Sequence, residues 1–237
     1  MVQSDAWSTL LASPLPWLTI TVGAYLAGQE LHRRSGGNPL TQPVAVAAAL
    51  IVVFLLITGY PVQAYTQGTV PLRFLLGPAT VALAIPLYER RHLIARTWLP
   101  LSAALLVGCL TGVLSVLCLA RLFGLSDAMM RSMSPKSATM PVAMEVSAQI
   151  GGVPTLTMVF VMATGVVGAA LIEPVRRCLT GVDDRGLGFA LGLAAHGIGV
   201  GRAFQTSPVA GVFAGLAMAL NGIATALLTP AVLALFH

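Results

Sequence analysis

The sequence predicts an all-α polytopic membrane protein, and three observations carry this prediction. Only 9% of the 237 residues are charged and 57% are hydrophobic, whereas a soluble domain carries about 25% charged residues. The charged residues form clusters separated by long apolar runs, as in chains that cross a bilayer several times. The apolar runs lack the alternation typical of membrane strands. This composition excludes a soluble enzyme, a nucleic-acid-binding module, a disordered chain and a secreted disulfide scaffold.

The first half of the chain contains two continuous apolar runs and one interrupted run. No cationic stretch precedes Pro14–Leu31, so we expect a retained membrane helix and not a cleaved signal peptide. Val44–Tyr60 is the second apolar run. Phe74–Tyr88 is shorter than the roughly 20 residues that a crossing needs, and Gly77 and Pro78 interrupt it. We therefore expect the third segment to be a broken helix.

The second half contains three runs of full crossing length. Leu99–Leu119, Val153–Ile172 and Val209–Phe236 are each long enough to span the hydrocarbon core. Gly186–Gly201 is shorter and rich in glycine. The total is about seven or eight membrane segments. Because no soluble linker is visible, we expect one transmembrane domain over residues 1–237.

Basic residues predict the orientation, because arginine and lysine collect in cytoplasmic loops. Arginines follow the first apolar helix, the interrupted segment and Val153–Ile172. If these three clusters are cytoplasmic, the N-terminus lies outside and the C-terminus inside. This arrangement requires the segment Met129–Ile150 to enter and leave on one side, or to be broken within the membrane.

The stretch from Ser134 to Gly152 breaks the apolar pattern most strongly. It contains Lys136, the only lysine of the chain, together with Glu145. An ionisable side chain at the bilayer centre costs about 2.5–3.5 kcal/mol, so its presence suggests a function. The same stretch contains hydroxyl residues, helix-breaking prolines and a glycine pair, which we include as candidate site and hinge residues: Pro135, Ser137, Thr139, Pro141, Gly151 and Gly152.

Lys136, Ser137 and Thr139 near a helix start are typical of an anion site, since free backbone N–H groups and an ammonium converge there. The alternative is a loop outside the membrane with a short amphipathic helix, in which Lys136 and Glu145 face water.

Pro78 and Thr80 lie in the interrupted segment Phe74–Tyr88, and Ala-Thr follows a proline here as it does at Ala138-Thr139. Paired interrupted segments are typical of transporters with inverted repeats. We therefore expect broken or re-entrant helices in two inverted-repeat-like halves, the alternative being coincidence in a chain rich in alanine and proline.

The third irregular stretch contains His196, Gly197 and Gly199. A histidine in an apolar segment is either a hydrogen-bonded structural residue or a proton carrier. Asn221 is the last buried polar candidate, and an interhelical hydrogen bond is its simpler explanation. No nucleotide-binding, catalytic or metal-ligand motif is present, so we expect no cofactor, no metal and no enzymatic activity.

Three motifs resemble the LrgB/CidB family of bacterial inner-membrane proteins, from about Val44 to the C-terminus. They are Pro135 to Glu145 with Gln149 to Gly152, Phe74 to Tyr88, and Gly211 to Leu220. The glycine-histidine stretch departs from the family, which often has Ser-His-Ala-Ile-Gly-Thr where this chain has Ala195 to Val200.

The resemblance implies a multi-pass protein of the bacterial inner membrane with one of two functions. Some family members are described as holin/antiholin-like regulators of murein hydrolase export and cell lysis. Others, and a plastid glycolate/glycerate carrier with a similar C-terminal half, move small carboxylates. Family members often work with a smaller LrgA/CidA-type membrane partner, so a purely structural role beside such a partner is a third possibility.

The residues favour a carrier of glycolate, glycerate, lactate or pyruvate that works by alternating access. Substrate would be bound by Lys136, Ser137, Thr139, Pro135, Pro78, Thr80 and Asn221. A coupled proton would be carried by Glu145 or His196, and Pro141, Gly151, Gly152, Gly197 and Gly199 would act as hinges. We expect a homodimer in the lipid bilayer, and no nucleic-acid partner.

Overall fold

The computed structural model describes residues 13–36, 41–82, 84–89, 91–178 and 181–236. All regular secondary structure within these ranges is helical. The chain divides between residues 85 and 86 into two compact units, which are described separately.

The first unit is built around the packing of its two longest helices. A Cβ at Gly28 would lie 2.7 Å from the carbonyl oxygen of Pro43, so glycine allows the two helix backbones to meet. Trp17 is buried against Gly68 and makes edge contacts with two tyrosine rings. Pro78 lies exposed inside the last helix. The helices are α1 (Pro14–Arg34), α2 (Pro43–Thr58), α3 (Val62–Gly68) and α4 (Val70–Ala82).

The second unit begins within a short helix, Ala84–Glu89, that crosses the boundary between the units. Serine and aspartate at the helix starts accept hydrogen bonds from the first backbone N–H groups, and proline at a helix start has no N–H group to satisfy. Ser207, for example, accepts a hydrogen bond from the N–H of Ala210 at 3.1 Å. The helices are α5 (Ala84–Glu89), α6 (Arg91–Arg96), α7 (Trp98–Leu122), α8 (Asp127–Met133), α9 (Met140–Gln149), α10 (Pro154–Cys178), α11 (Asp184–Thr206) and α12 (Pro208–Leu235).

Within the described ranges, four helices are long and apolar enough to cross a membrane: α7, α10, α11 and α12. The bounds of α7 and α12 agree closely with the predicted segments, whereas α10 continues past the predicted end and α11 is longer than the short segment predicted there. The predicted total of seven or eight segments is not confirmed, because only these four described helices qualify, and α2 is a shorter apolar helix of 16 residues. The inverted-repeat-like arrangement is likewise not confirmed.

The first half of α11 runs parallel to the start of α12 at very close range. Added Cβ atoms at Gly188 and Gly192 would lie 2.1 and 2.0 Å from the carbonyl oxygens of Ala210 and Ala214. Two glycines one turn apart thus let the helix backbones touch. Residue numbers rise in the same direction along both helices, from the pair Gly188 and Ala210 to the pair Gly192 and Ala214, so these segments are parallel.

His196 breaks α11 into a helical hairpin. Its backbone has φ 41° and ψ −130°, and it is the one non-glycine residue of the described ranges with a positive φ. Beyond it the chain returns beside itself, since a Cβ at Gly199 would lie 2.2 Å from the carbonyl oxygen of Leu191. Phe204 then packs on Gly211 of α12. Both ends of α11 therefore lie near the start of α12, although α11 has the length of a single crossing.

Helices α8 and α9 form a second hairpin within Met129–Ile150, the segment predicted either to enter and leave on one side or to be broken within the membrane. Met130 and Ile150, from its two ends, pack in one apolar cluster with Leu233 near the end of α12. Arg131 Nη1 also donates a hydrogen bond to the carbonyl of Ile150 at 2.8 Å. The chain therefore leaves and returns at the same end of α12, and residues 134–139 form the tip.

A buried hydroxyl cluster holds this second hairpin against α10. Thr157 Oγ1 lies 2.9 Å from the carbonyl of Ser132 and 2.7 Å from Ser147 Oγ, and these three residues are fully buried. A Cβ at Gly152 would come within 2.5 Å of Ser147 Oγ. Gly151, with φ 78°, turns the chain after α9.

Candidate functional site

Asn221 joins the tips of the two hairpins. Its Nδ2 donates hydrogen bonds to the carbonyls of Ser137 at 2.9 Å and Leu193 at 3.2 Å. Both carbonyls lie where a helix is interrupted, and interruption leaves backbone groups without helical partners. The side chain is 1% exposed and lies near the middle of the 28-residue α12. The two backbone breaks predicted around Lys136 and His196 therefore meet at one buried amide.

The two tips also meet on α10. Ala138, from the α8–α9 tip, belongs to one apolar cluster with Val161. His196 Nε2 donates a hydrogen bond to the carbonyl of Val161 at 2.9 Å, since a carbonyl can only accept. Gly165 makes room for the imidazole, because a Cβ there would lie 2.7 Å from His196 Cε1. His196 is thus held as a buried structural donor, which leaves its predicted role in proton transfer untested.

Lys136 is half-buried beside this junction. Its Nζ lies 3.5 Å from Ser137 Oγ. Among the described residues, Lys136 forms no ion pair. Thr139 begins α9 without accepting a hydrogen bond on its side chain. A cation and an uncapped helix start therefore lie within a few residues of each other, which is chemistry suited to a small anion.

The remaining predicted residues lie at several places. Pro135 is buried in the tip, and Pro141 is exposed in the first turn of α9. Glu145 is exposed and accepts a hydrogen bond from Gln149 Nε2 at 3.1 Å. Gly197 follows the break, and a Cβ added there would meet no neighbouring segment within 4 Å. The side chain of Thr80 is outside the part of the chain that the structure describes.

The sequence reasoning missed the backbone partners Val161 and Leu193 and two buried threonines, Thr225 and Thr229. A residue that contributes only its backbone carbonyl leaves no signal in a sequence. The threonines do carry a signal, because they follow Asn221 at intervals of four residues and so lie on one helix face.

Two cavities lie at opposite ends of α12. One, of about 440 Å³, is lined by residues that include Arg185, Leu193 and Phe213. Near its mouth the backbone N–H of Gly186 and the Arg185 guanidinium lower the pKa of Asp183. The other cavity, of about 430 Å³, is lined by residues that include Arg131 and Pro230. Polar groups are therefore present at both ends of the helix that carries Asn221.

We expect His196→Ala to be less stable than His196→Gly. Both variants lose the bond to Val161, but only glycine adopts the backbone angles of residue 196 without strain. Such strain costs about 1–3 kcal/mol. Thermal unfolding of the two detergent-solubilised variants measures the difference. Equal melting temperatures would show that the positive φ is not retained in the variants.

Comparison with known proteins gives the family. Residues 21–235 match the model of the LrgB-like family. The chain is 36% identical to Uncharacterized protein YxaC of Bacillus subtilis (strain 168), over 93% of this chain and 95% of that protein. It is 32% identical to Antiholin-like protein LrgB of Bacillus cereus (strain B4264), over 92% and 95% of the two chains. No solved structure matches. This multi-pass membrane protein therefore belongs to the LrgB-like family, as its motifs predicted.

Proposed function

We propose that the protein has an antiholin-like function in the bacterial inner membrane, where it regulates murein hydrolase export and cell lysis. The observation that carries this proposal is the similarity, over 92% of the chain, to a relative named antiholin-like protein. The names of the relatives favour this function over carboxylate transport. An LrgA/CidA-type protein is the membrane partner that we propose for it.

A second candidate function is transport of a small carboxylate, and one structural observation favours it. Lys136 is a half-buried cation without a carboxylate partner among the described residues, and it lies at a helix break near the middle of the spanning helices. Broken helices near the bilayer midplane form the substrate sites of many secondary transporters. A regulator that acts only by assembly needs no cation there.

In this carrier, Lys136 and the start of α9 bind the carboxylate, while Ser137 and Thr139 bond its oxygens. Asn221 holds both hairpin tips around the solute. Movement of one hairpin away from Asn221 opens the site toward one end of α12, and movement of the other opens it toward the opposite end. Proton coupling through Glu145 or His196 and a homodimeric assembly are further parts of this proposal.

The carrier function is tested by reconstituting the protein into liposomes that contain a fluorescent dye. Saturable uptake of labelled glycolate, lactate or pyruvate without dye loss is the expected result for the carrier. Dye release that does not depend on solute contradicts it and indicates a pore.

The antiholin-like function is tested in a strain that lacks the gene. We expect the deletion to accelerate detergent-induced autolysis and the wild-type chain to restore the original rate. An unchanged autolysis rate after deletion contradicts this function. Restoration by Lys136→Ala shows that control of lysis does not need the carboxylate site.

A further inference from the structure

One face of α12 carries three buried polar side chains. Asn221, Thr225 and Thr229 are spaced by four residues and are 1%, 2% and 0% exposed. Among the described residues, only two buried side-chain polar atoms lack a hydrogen-bond partner, and they are Asn221 Oδ1 and Thr229 Oγ1. Both unsatisfied atoms therefore lie on the same helix face.

Ordinary helix packing does not account for this face. Threonines elsewhere in the chain, such as Thr58 and Thr97, donate to the carbonyl four residues earlier. Within the described part of the chain, Thr229 makes no such bond, and the hydroxyl of Thr225 makes only a long hydrogen bond, 3.8 Å, with Cys109 Sγ. The amide of Asn221 cannot be reversed, because its oxygen would then face two carbonyls. Three oxygens are therefore poorly paired where burial makes unpaired polar groups costly.

The face connects two places already described. Its upper end, Asn221, is the junction of the hairpin tips. Its lower end, Thr229, directly precedes Pro230, which lines the cavity that also contains Arg131 and Gln149. An apolar cluster that includes Leu117, Met130 and Leu233 packs beside the cavity end of this face, and Leu233 also lines the cavity. The face thus leads from the candidate site to a polar cavity and is closed in this conformation.

We propose that Asn221, Thr225 and Thr229 line a water-accessible path between the hairpin tips and the cavity at the C-terminal end of α12. When the α8–α9 hairpin moves away from α12, the oxygens of the path accept hydrogen bonds from water and from donor groups of a small polar solute. This inference rests on the carrier function proposed above. It adds Thr225 and Thr229 to the solute path and directs that path toward the C-terminal end of α12.

The first test compares two fully buried threonines. Thr157 has hydroxyl and carbonyl partners, whereas Thr229 has none. We expect Thr229→Val to raise the melting temperature by about 2–4 °C and Thr157→Val to lower it by a similar amount. We also expect Thr229→Val to slow carboxylate uptake. Loss of stability together with unchanged uptake in Thr229→Val overturns the proposal.

The second test measures access to the path without any transport assay. In a background with the native cysteines replaced, Thr225→Cys and Thr229→Cys are exposed to a membrane-impermeant thiol reagent in liposomes. The control is Val212→Cys, which is buried on the same helix. We expect labelling at positions 225 and 229 to be at least about tenfold faster than at the control, because buried thiols are inert.

The two tests distinguish the path from the function on which it rests. Fast labelling without saturable uptake of any carboxylate supports the path and contradicts the carrier. Saturable uptake with labelling no faster than at position 212 supports the carrier and overturns the path.

Discussion

Lys136→Ala is expected to abolish saturable carboxylate uptake by the reconstituted protein. A hydrogen bond to a charged group contributes about 1.5–3 kcal/mol, which corresponds to a loss of about 10- to 150-fold in affinity. Among the described residues, Lys136 is the cation that contacts Ser137 Oγ. The measurement is initial uptake of labelled glycolate, lactate or pyruvate as a function of concentration.

The control for this variant is Lys136→Arg, which keeps the positive charge at the tip of the hairpin. We expect it to retain part of the uptake, because it still attracts an anion, but with altered affinity, because its planar group is larger. Uptake by Lys136→Ala at the wild-type rate would exclude Lys136 from substrate binding. The antiholin-like function would then be the better account of the family motif around it.

The second large effect is expected for Gly192→Ala, which should prevent stable folding. The new methyl group would lie 2.0 Å from the carbonyl oxygen of Ala214, and backbone atoms cannot move aside as a flexible side chain can. Such overpacking should cost about 3 kcal/mol or more. We expect this variant to aggregate on size-exclusion chromatography in detergent.

Gly201→Ala is the matched control on the same helix. A Cβ at this position meets no atom within 4 Å, and alanine stabilises a helix by about 1 kcal/mol relative to glycine. We expect this variant to elute as the wild type does and to melt at the same or a higher temperature. If Gly192→Ala behaves like Gly201→Ala, the close parallel packing of α11 on α12 is wrong.

The apolar runs predicted the long helices well, because a helix that crosses hydrocarbon must be apolar along its whole length. Leu99–Leu119 became α7 with bounds Trp98–Leu122, and Val209–Phe236 became α12 with bounds Pro208–Leu235. The break near Lys136 was also predictable, since prolines and a lone lysine interrupt an apolar context there.

The reversal at His196 was not predictable from the sequence. The surrounding glycines suggested several possible hinge positions, yet the chain turns at the histidine, which is held by Gly165 and Val161 of another helix. Tertiary contacts thus override the local preference of glycine for positive φ. The interhelical hydrogen bond expected at Asn221 is present, but its partners were not predictable, because both acceptors are backbone carbonyls of other segments.

Because one amide group donates to both hairpin tips, Asn221 is expected to couple the movements of the two tips in the proposed carrier. Displacement of either tip changes the hydrogen bond available to the other, and such a coupling free energy acts equally in both directions. Interhelical hydrogen bonds in membranes contribute about 0.6 kcal/mol on average and about 1.7 kcal/mol at most. Displacement of one tip should therefore change the equilibrium constant for displacement of the other by a few-fold to about 20-fold. A coupling of this size favours one order of movement but still allows each tip to move alone.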